Sequence, residues 1–139
     1  MINGVAGSIG AALPFAAAAS LAKPGAPVIA VMGDGTFGFH PAEIDTAVRH
    51  GLAFVAVVGN DARWNAEYQI QLREYGRERL VGCELRPTRY DQVAVAFGGF
   101  GEHVTRAADV LPAAQRALQS KLPAVLNVTI EGAAAPNFS

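Results

Sequence analysis

Cysteine is almost absent from this sequence, with a single residue at position 83. No disulfide can close within the chain, and no cysteine-rich metal site can form. The lack of a disulfide framework fits a reducing, cytoplasmic compartment. Charge is sparse too, at 17% of residues with a formal net charge of -1. The lysines and arginines are scattered, with no basic run of five, so nothing draws the chain to nucleic acid or to a membrane surface. Long apolar runs are also lacking. Ile9 to Ala22 is alanine-rich and apolar except for Ser20, but it is too short to span a bilayer. It has no basic leader and carries Gly10 and Pro14, so it reads as a buried helix and not as a signal peptide. The three histidines form no zinc pattern. His40 follows a glycine-rich loop, where it either faces a ligand or caps a helix. His50 falls at a helix end, and His103 has no motif around it. Cys83 reads as buried, not reactive.

What the chain does have is apolar material. Hydrophobic residues make up 51% of its 139 positions, enough for one compact domain. Pro14 suits the first turn of a helix that runs to Ala22 and is stopped by Lys23-Pro24-Gly25. Val28 to Met32 is a short continuous apolar run, the signature of a strand buried on both faces in a parallel sheet. Pro41 opens a second helix with Ile44, Ala47 and Val48 on one face, and Gly51 is placed to close it. Phe54 to Val58 is the next buried strand. Tyr68, Leu72 and Tyr75 mark a helix ended by Gly76. Residues 77–89 give no clear pattern. Tyr90, Val93, Ala94 and Phe97 mark a further helix, 100–105 a short strand, 109–120 a helix, and 124–130 the last strand.

Strands alternate with helices, so the expected fold is α/β: three layers, a mostly parallel sheet and helices on both faces. One domain is assigned to residues 1–131, with 132–139 as a frayed tail. Ligands on such sheets bind at the carboxyl ends of the strands. Two apolar strands end in polar loops, Gly33-Asp34-Gly35-Thr36 and Gly59-Asn60-Asp61-Ala62-Arg63-Trp64. In a parallel sheet both loops emerge at one edge, so Asp34 and Asp61 can converge across 27 positions of sequence. Two carboxylates with loop carbonyls suit a hard cation. Magnesium takes oxygen ligands and completes its shell with phosphates and water. Gly33 and Gly35 let the backbone approach a phosphate closely, and Thr36 adds a hydroxyl. Taken singly, Gly-Asp-Gly is ordinary turn chemistry and Asn-Asp ordinary loop chemistry. It is their joint placement after two apolar strands that points to a site.

Residues 33–61 resemble the thiamine-diphosphate motif, which begins Gly-Asp-Gly and ends in an Asn pair. Gly33-Asp34-Gly35 matches the start and Asn60 the first Asn; Asp61 stands where the family has the second. The resemblance implies magnesium ligation by Asp34, Asp61 and the backbone carbonyl of Arg63. Upstream, Gly7-Ser8-Ile9-Gly10-Ala11-Ala12-Leu13-Pro14 is similar to the Gly-Thr-Met-Gly-Phe-Gly-Leu-Pro segment of acetolactate synthases. It implies that Ile9 wedges between the two cofactor rings and that the Gly7 carbonyl accepts a hydrogen bond from the aminopyrimidine. Trp64 resembles an aromatic of this loop in acetolactate-synthase-like enzymes. The match spans residues 4–131.

The resemblance implies thiamine diphosphate and Mg2+ as cofactors and a 2-oxo acid as substrate, decarboxylated and passed to an acceptor. The activating glutamate of this family lies on a pyrimidine-binding domain. Glu43 and Glu67 sit in no matching motif, so no catalytic residue is assigned here, and a pyrimidine-binding domain or subunit is the expected partner. On this reading the chain is a fragment of a longer enzyme or one subunit of a split one, and it self-associates or needs a partner. The other reading is a non-catalytic α/β module that holds a nucleotide or another diphosphate. Such a module needs neither the wedge at Ile9 nor the acceptor at Gly7.

Overall fold

The computed structural model describes residues 8–134. Four parallel strands form one sheet in the order β1-β2-β4-β3. They are β1 (Ile29–Gly33), β2 (Val55–Asn60), β3 (Phe100–Val104) and β4 (Ala124–Thr129). The helices are α1 (Ala12–Ala22), α2 (Asp34–Phe37), α3 (Glu43–Arg49), α4 (Asn65–Tyr75), α5 (Tyr90–Ala96) and α6 (Val110–Ser120). The expected three-layer α/β fold is therefore observed, with element bounds close to those read from the sequence.

Alternation along the strands builds two cores. Phe54, Ala56 and Val58 of the β2 segment, with Val125 of β4, meet Leu13 and Ala16 of α1, Ile44 and Ala47 of α3, and Ala94 of α5. On the opposite face Val55, Ala124, Leu126 and Val104 meet Ala113 and Ala117 of α6. Small alanines on the helices allow close approach to the sheet. A fully buried side chain of Leu or Phe size contributes about 1.5–3 kcal/mol relative to its exposed state, and Leu126, Ile44 and Phe37 are all inaccessible.

The sequence also explains where elements stop. After α3, Gly51 adopts φ +64°. Its N–H reaches the Val48 carbonyl at 3.2 Å, and that of Leu52 reaches Ala47 at 2.9 Å. This paired closure needs a left-handed residue after the helix, which glycine supplies without a Cβ clash. Pro14 sits in the first turn of α1, where its missing N–H has no helical partner to lose.

Three expectations need correction. The strand at 28–32 is not buried on both faces. β1 is an outer strand, with Ile29 56% and Val31 77% exposed. The cause is reach: α6 packs on β4, β3 and β2 and leaves the same face of β1 bare. Second, the Gly-Asp-Gly segment is not a plain loop, because Asp34–Phe37 forms the single helical turn α2. Third, the tail is tethered at its start, since Asn65 Nδ2 donates to the Ala133 carbonyl at 2.6 Å; residues 135–139 lie outside those described. Residues 77–89 contain a 3-10 turn at Arg77–Arg79 and an antiparallel bridge between Arg63 and Glu84. Among the described residues, no helix is long and apolar enough to cross a membrane.

Candidate functional site

β1 and β2 are neighbours, and Gly33 pairs with Gly59 at their carboxyl ends. Paired strands run about 4.8 Å apart, so Asp34, one residue beyond β1, and Asp61, just past β2, are launched side by side. The register does for them what sequence distance cannot.

Asp34 is 2% exposed. Its Oδ1 accepts the Gly35 N–H at 2.9 Å, while its Oδ2 is buried with no hydrogen-bond partner among the described residues. Burial pushes the Asp34 carboxyl above the usual carboxylate range. The nearby Asp61 charge adds to this, against lowering hydrogen bonds from backbone such as that of Gly35. Tyr90 is also raised, first by burial and then by the Asp34 charge. A buried carboxylate oxygen without a partner carries a desolvation cost. A cation meets that need directly.

The loop after β2 is held from several sides. Ala62 takes φ 56°, and the Asn60 Oδ1 accepts its N–H at 3.1 Å. The Trp64 N–H donates to the Cys83 carbonyl at 2.8 Å and the Leu85 N–H to the Ala62 carbonyl at 2.7 Å. Cys83 itself is buried. The Arg63 guanidinium lies over the Tyr68 ring, 4.5 Å from its centroid, and leaves the backbone of Arg63 beside the Asp34 carboxylate. The Trp64 indole lies flat on Gly35, where an added Cβ would sit 2.7 Å from its Cε3. Phe39 meets Trp64 edge-on, with centroids 5.5 Å apart.

One cleft of about 380 Å³ gathers Ile9, Gly33, Asp34, Gly35, Thr36, Asp61, Arg63 and Trp64. Gly7 lies outside the described residues. His40 does not line the cleft; its ring lies near Gly10, 3.2 Å from where a Cβ there would sit. His50 ends α3, and His103 pairs its Nε2 with Thr129 Oγ1 at 3.0 Å. A cleft of equal volume opens at the amino-terminal end of the strands, lined by Pro24, Leu52 and Lys121 among others. It holds no carboxylate and lies at the end of the sheet where such folds do not bind ligands.

Sequence reasoning missed several neighbours of the site. Asn65, Glu67 and Ile130 also line the cleft. Gly132, assigned to the tail, sits where a Cβ would lie 2.9 Å from both Asp61 Oδ2 and Arg63 Nη1. Asn127 is fully buried beside Asn60. The signal for Asn127 was available, as it is the one polar side chain within the apolar run Ala124 to Val128.

Among the described residues there is no group of three or more His, Cys, Asp and Glu able to hold a metal ion. A cation held in this cleft would have two carboxylates to draw on, and the rest of its shell would come from backbone carbonyls, ligand oxygens and water. Hard oxygen donors of this kind, kept few by the protein, fit magnesium with a phosphate ligand.

The profile described as "Thiamine pyrophosphate enzyme, C-terminal TPP binding domain" matches residues 1–128. A probable acetolactate synthase of Mycobacterium bovis is 46% identical over 127 residues, covering 91% of this chain and 23% of that protein. A sulfoacetaldehyde acetyltransferase of Alcaligenes xylosoxydans xylosoxydans is 40% identical, over 84% of this chain and 19% of that protein. The human 2-hydroxyacyl-CoA lyase 2 is 36% identical, over 91% of this chain and 21% of that protein. Among solved structures, the benzoylformate decarboxylase of Polynucleobacter necessarius superposes with a TM-score of 0.77 at 24% identity, over 91% of this chain and 24% of that one. The chain thus spans about a quarter or less of the relatives it matches. Sequence and fold agree, and the chain belongs to the thiamine pyrophosphate enzyme family as a C-terminal cofactor-binding domain.

Proposed function

We propose that this domain holds the diphosphate end of thiamine diphosphate through a magnesium ion, within an acetolactate-synthase-like 2-oxo acid decarboxylase or carboligase. The observation that carries this reading is the buried, unpartnered Oδ2 of Asp34 in a cleft shared with Asp61 and Arg63. Asp34 and Asp61 each give a carboxylate oxygen to the cation, and Arg63 its backbone carbonyl. Gly33, Gly35 and Thr36 line the path of the diphosphate. Ile9, on the same cleft, supports the bent cofactor from its apolar side, and the Gly7 carbonyl accepts from the aminopyrimidine. Trp64 closes the wall beside Gly35.

When bound, thiamine diphosphate would supply the carbanion chemistry that decarboxylation of a 2-oxo acid needs. The chain's own contribution is anchoring and neutralisation of diphosphate charge. The glutamate that activates the aminopyrimidine belongs to a pyrimidine-binding domain or subunit, met across an interface. Purified chain incubated with pyruvate, thiamine diphosphate and magnesium is therefore expected to show no turnover above the cofactor alone.

Trp64 is the chain's single tryptophan and reports on the site. Titration with thiamine diphosphate should change its fluorescence only when magnesium is present, and Asp34→Asn should abolish the response. Binding that ignores magnesium would sink the reading. Equal binding of thiamine diphosphate, ADP and inorganic pyrophosphate would favour the plain diphosphate module, because only the thiamine-specific reading has work for Ile9 and Gly7.

A further inference from the structure

A chain of buried polar groups runs behind the cleft. Asn60, Asp91 and Asn127 are 7%, 4% and 1% exposed. Arg89 grips Asp91 with two hydrogen bonds, at 2.9 and 2.6 Å. The Asn127 Nδ2 donates to Asp91 Oδ1 at 3.3 Å and to the Thr88 carbonyl at 3.2 Å. The Asn60 Nδ2 donates to Asn127 Oδ1 and to the same Thr88 carbonyl, both at 2.9 Å. The Asn60 Oδ1 then accepts the Ala62 N–H at 3.1 Å. Every amide hydrogen of the two asparagines is used.

The order of donors and acceptors has a direction. A carboxylate held by arginine and a backbone carbonyl only accept. Asn127 must therefore turn its nitrogen toward Asp91 and Thr88, and its oxygen toward Asn60. Asn60 in turn presents nitrogen to Asn127 and Thr88, which leaves its oxygen for the Ala62 N–H. That bond closes the loop at Ala62, which adopts the left-handed φ of 56° that non-glycine residues seldom take. Asp61 and Arg63 flank this residue. The turn therefore sets where the Asp61 carboxylate and the Arg63 backbone point relative to Asp34.

We propose that Asn127 and Asp91 are positioning residues for the cation site: they fix the amide sense of Asn60 and thereby the turn that aims Asp61 and the Arg63 carbonyl. Neither touches the cleft, and both act through Asn60. The proposal rests on the magnesium and diphosphate reading above and extends it to residues on β4 and α5. Groups that orient metal ligands from behind typically change metal affinity by about 10–100-fold when removed.

The test uses the full chain and magnesium titration at fixed thiamine diphosphate, followed by Trp64 fluorescence. Asn127→Leu keeps the branching at Cγ, in a somewhat larger side chain, and removes both amide functions; its apparent magnesium affinity should fall by about ten-fold or more. Asp91→Asn keeps the shape and frees the sense of the Asn127 amide; it should lose affinity to a smaller degree. Urea unfolding of each variant, without cofactor, separates positioning from stability. A folded variant whose magnesium affinity equals that of the wild type overturns the proposal, whatever its stability. If Asn127→Leu does not fold, Asp91→Asn decides alone. A wild-type chain with no magnesium-dependent response overturns the underlying reading, whereas a responsive wild type with equally responsive variants overturns only the positioning role.

Discussion

Two residues show how steric and electrostatic demands meet in one short segment. Gly35 has the Trp64 ring on its Cα, so a methyl group there would lie 2.7 Å from the indole. Such overpacking costs about 1–3 kcal/mol unless the ring moves, and Trp64 is half-exposed and able to move. Gly35→Ala is therefore expected to leave the fold intact and displace the indole. A shifted Trp64 emission maximum, with weakened response to magnesium and thiamine diphosphate, is the expected result; an unchanged emission spectrum would contradict the contact. Asp91 makes the electrostatic case. Burial alone would raise its carboxyl, but hydrogen bonds from Arg89 and Asn127 and the Arg89 charge bring it below the usual value of 3.8. A carboxyl lowered in the fold contributes stability that is fully present above pH 3.8 and is lost as pH falls through the lower folded value. Asp91→Asn removes that contribution. The difference in unfolding free energy between wild type and variant should be constant from pH 5 to 7 and shrink below about pH 4. A difference that does not change on acidification would show that Asp91 is not ionised in the fold.

At the scale of elements, the helices and strands were legible because each carries its own pattern. Val55 to Val58 is apolar and valine-rich; Ile44, Ala47 and Val48 repeat at helical spacing; Gly51 and Gly98 close helices. The convergence of Asp34 and Asp61 was legible as well, since a parallel sheet puts both loops at one edge. What escaped depends on relations between elements. The apolar run of β1 looks like that of a central strand, but how far α6 reaches is set by packing and not by the run itself, and Val31 ends up exposed. The α2 turn escaped because four residues, one of them glycine, are too few to carry a periodicity. The Asn60 to Asn127 pair escaped because 67 positions separate the partners, and only the β2–β4 register unites them. Residues 77–89 escaped because their structure comes from bonds to the site loop, such as Trp64 to Cys83, with little local pattern of their own.

The whole molecule presents exposed apolar side chains on two elements, β1 and α1. Ile29 and Val31 lie bare on β1, and Phe15 and Leu21 of α1 are 52% and 67% exposed. β1 is also an outer strand whose far edge has no partner among the described residues, so its backbone groups are open to pairing with another strand. Scattered single hydrophobes on a surface are ordinary, but an apolar strand face joined to an unpaired edge is a known route to association. The apolar helix at Pro14 to Ala22 adds to this, because α1 buries Leu13, Ala16 and Ala17 and leaves its outer side chains uncovered. Pure chain is therefore expected to self-associate with rising concentration. Light scattering should show a mass above that of the monomer, 14.5 kDa. Val31→Lys should lower that mass without unfolding the protein, since a side chain 77% exposed contributes little to the core and surface substitutions usually stay within about 0.5 kcal/mol. Lysine also opposes strand addition at an edge by bringing charge to it. A monomer that persists across the concentration range would show that this side of the sheet is tolerated bare in solution. Association unchanged by Val31→Lys would move the contact away from β1 to the exposed side of α1, where Phe15→Ser is the next variant to weigh.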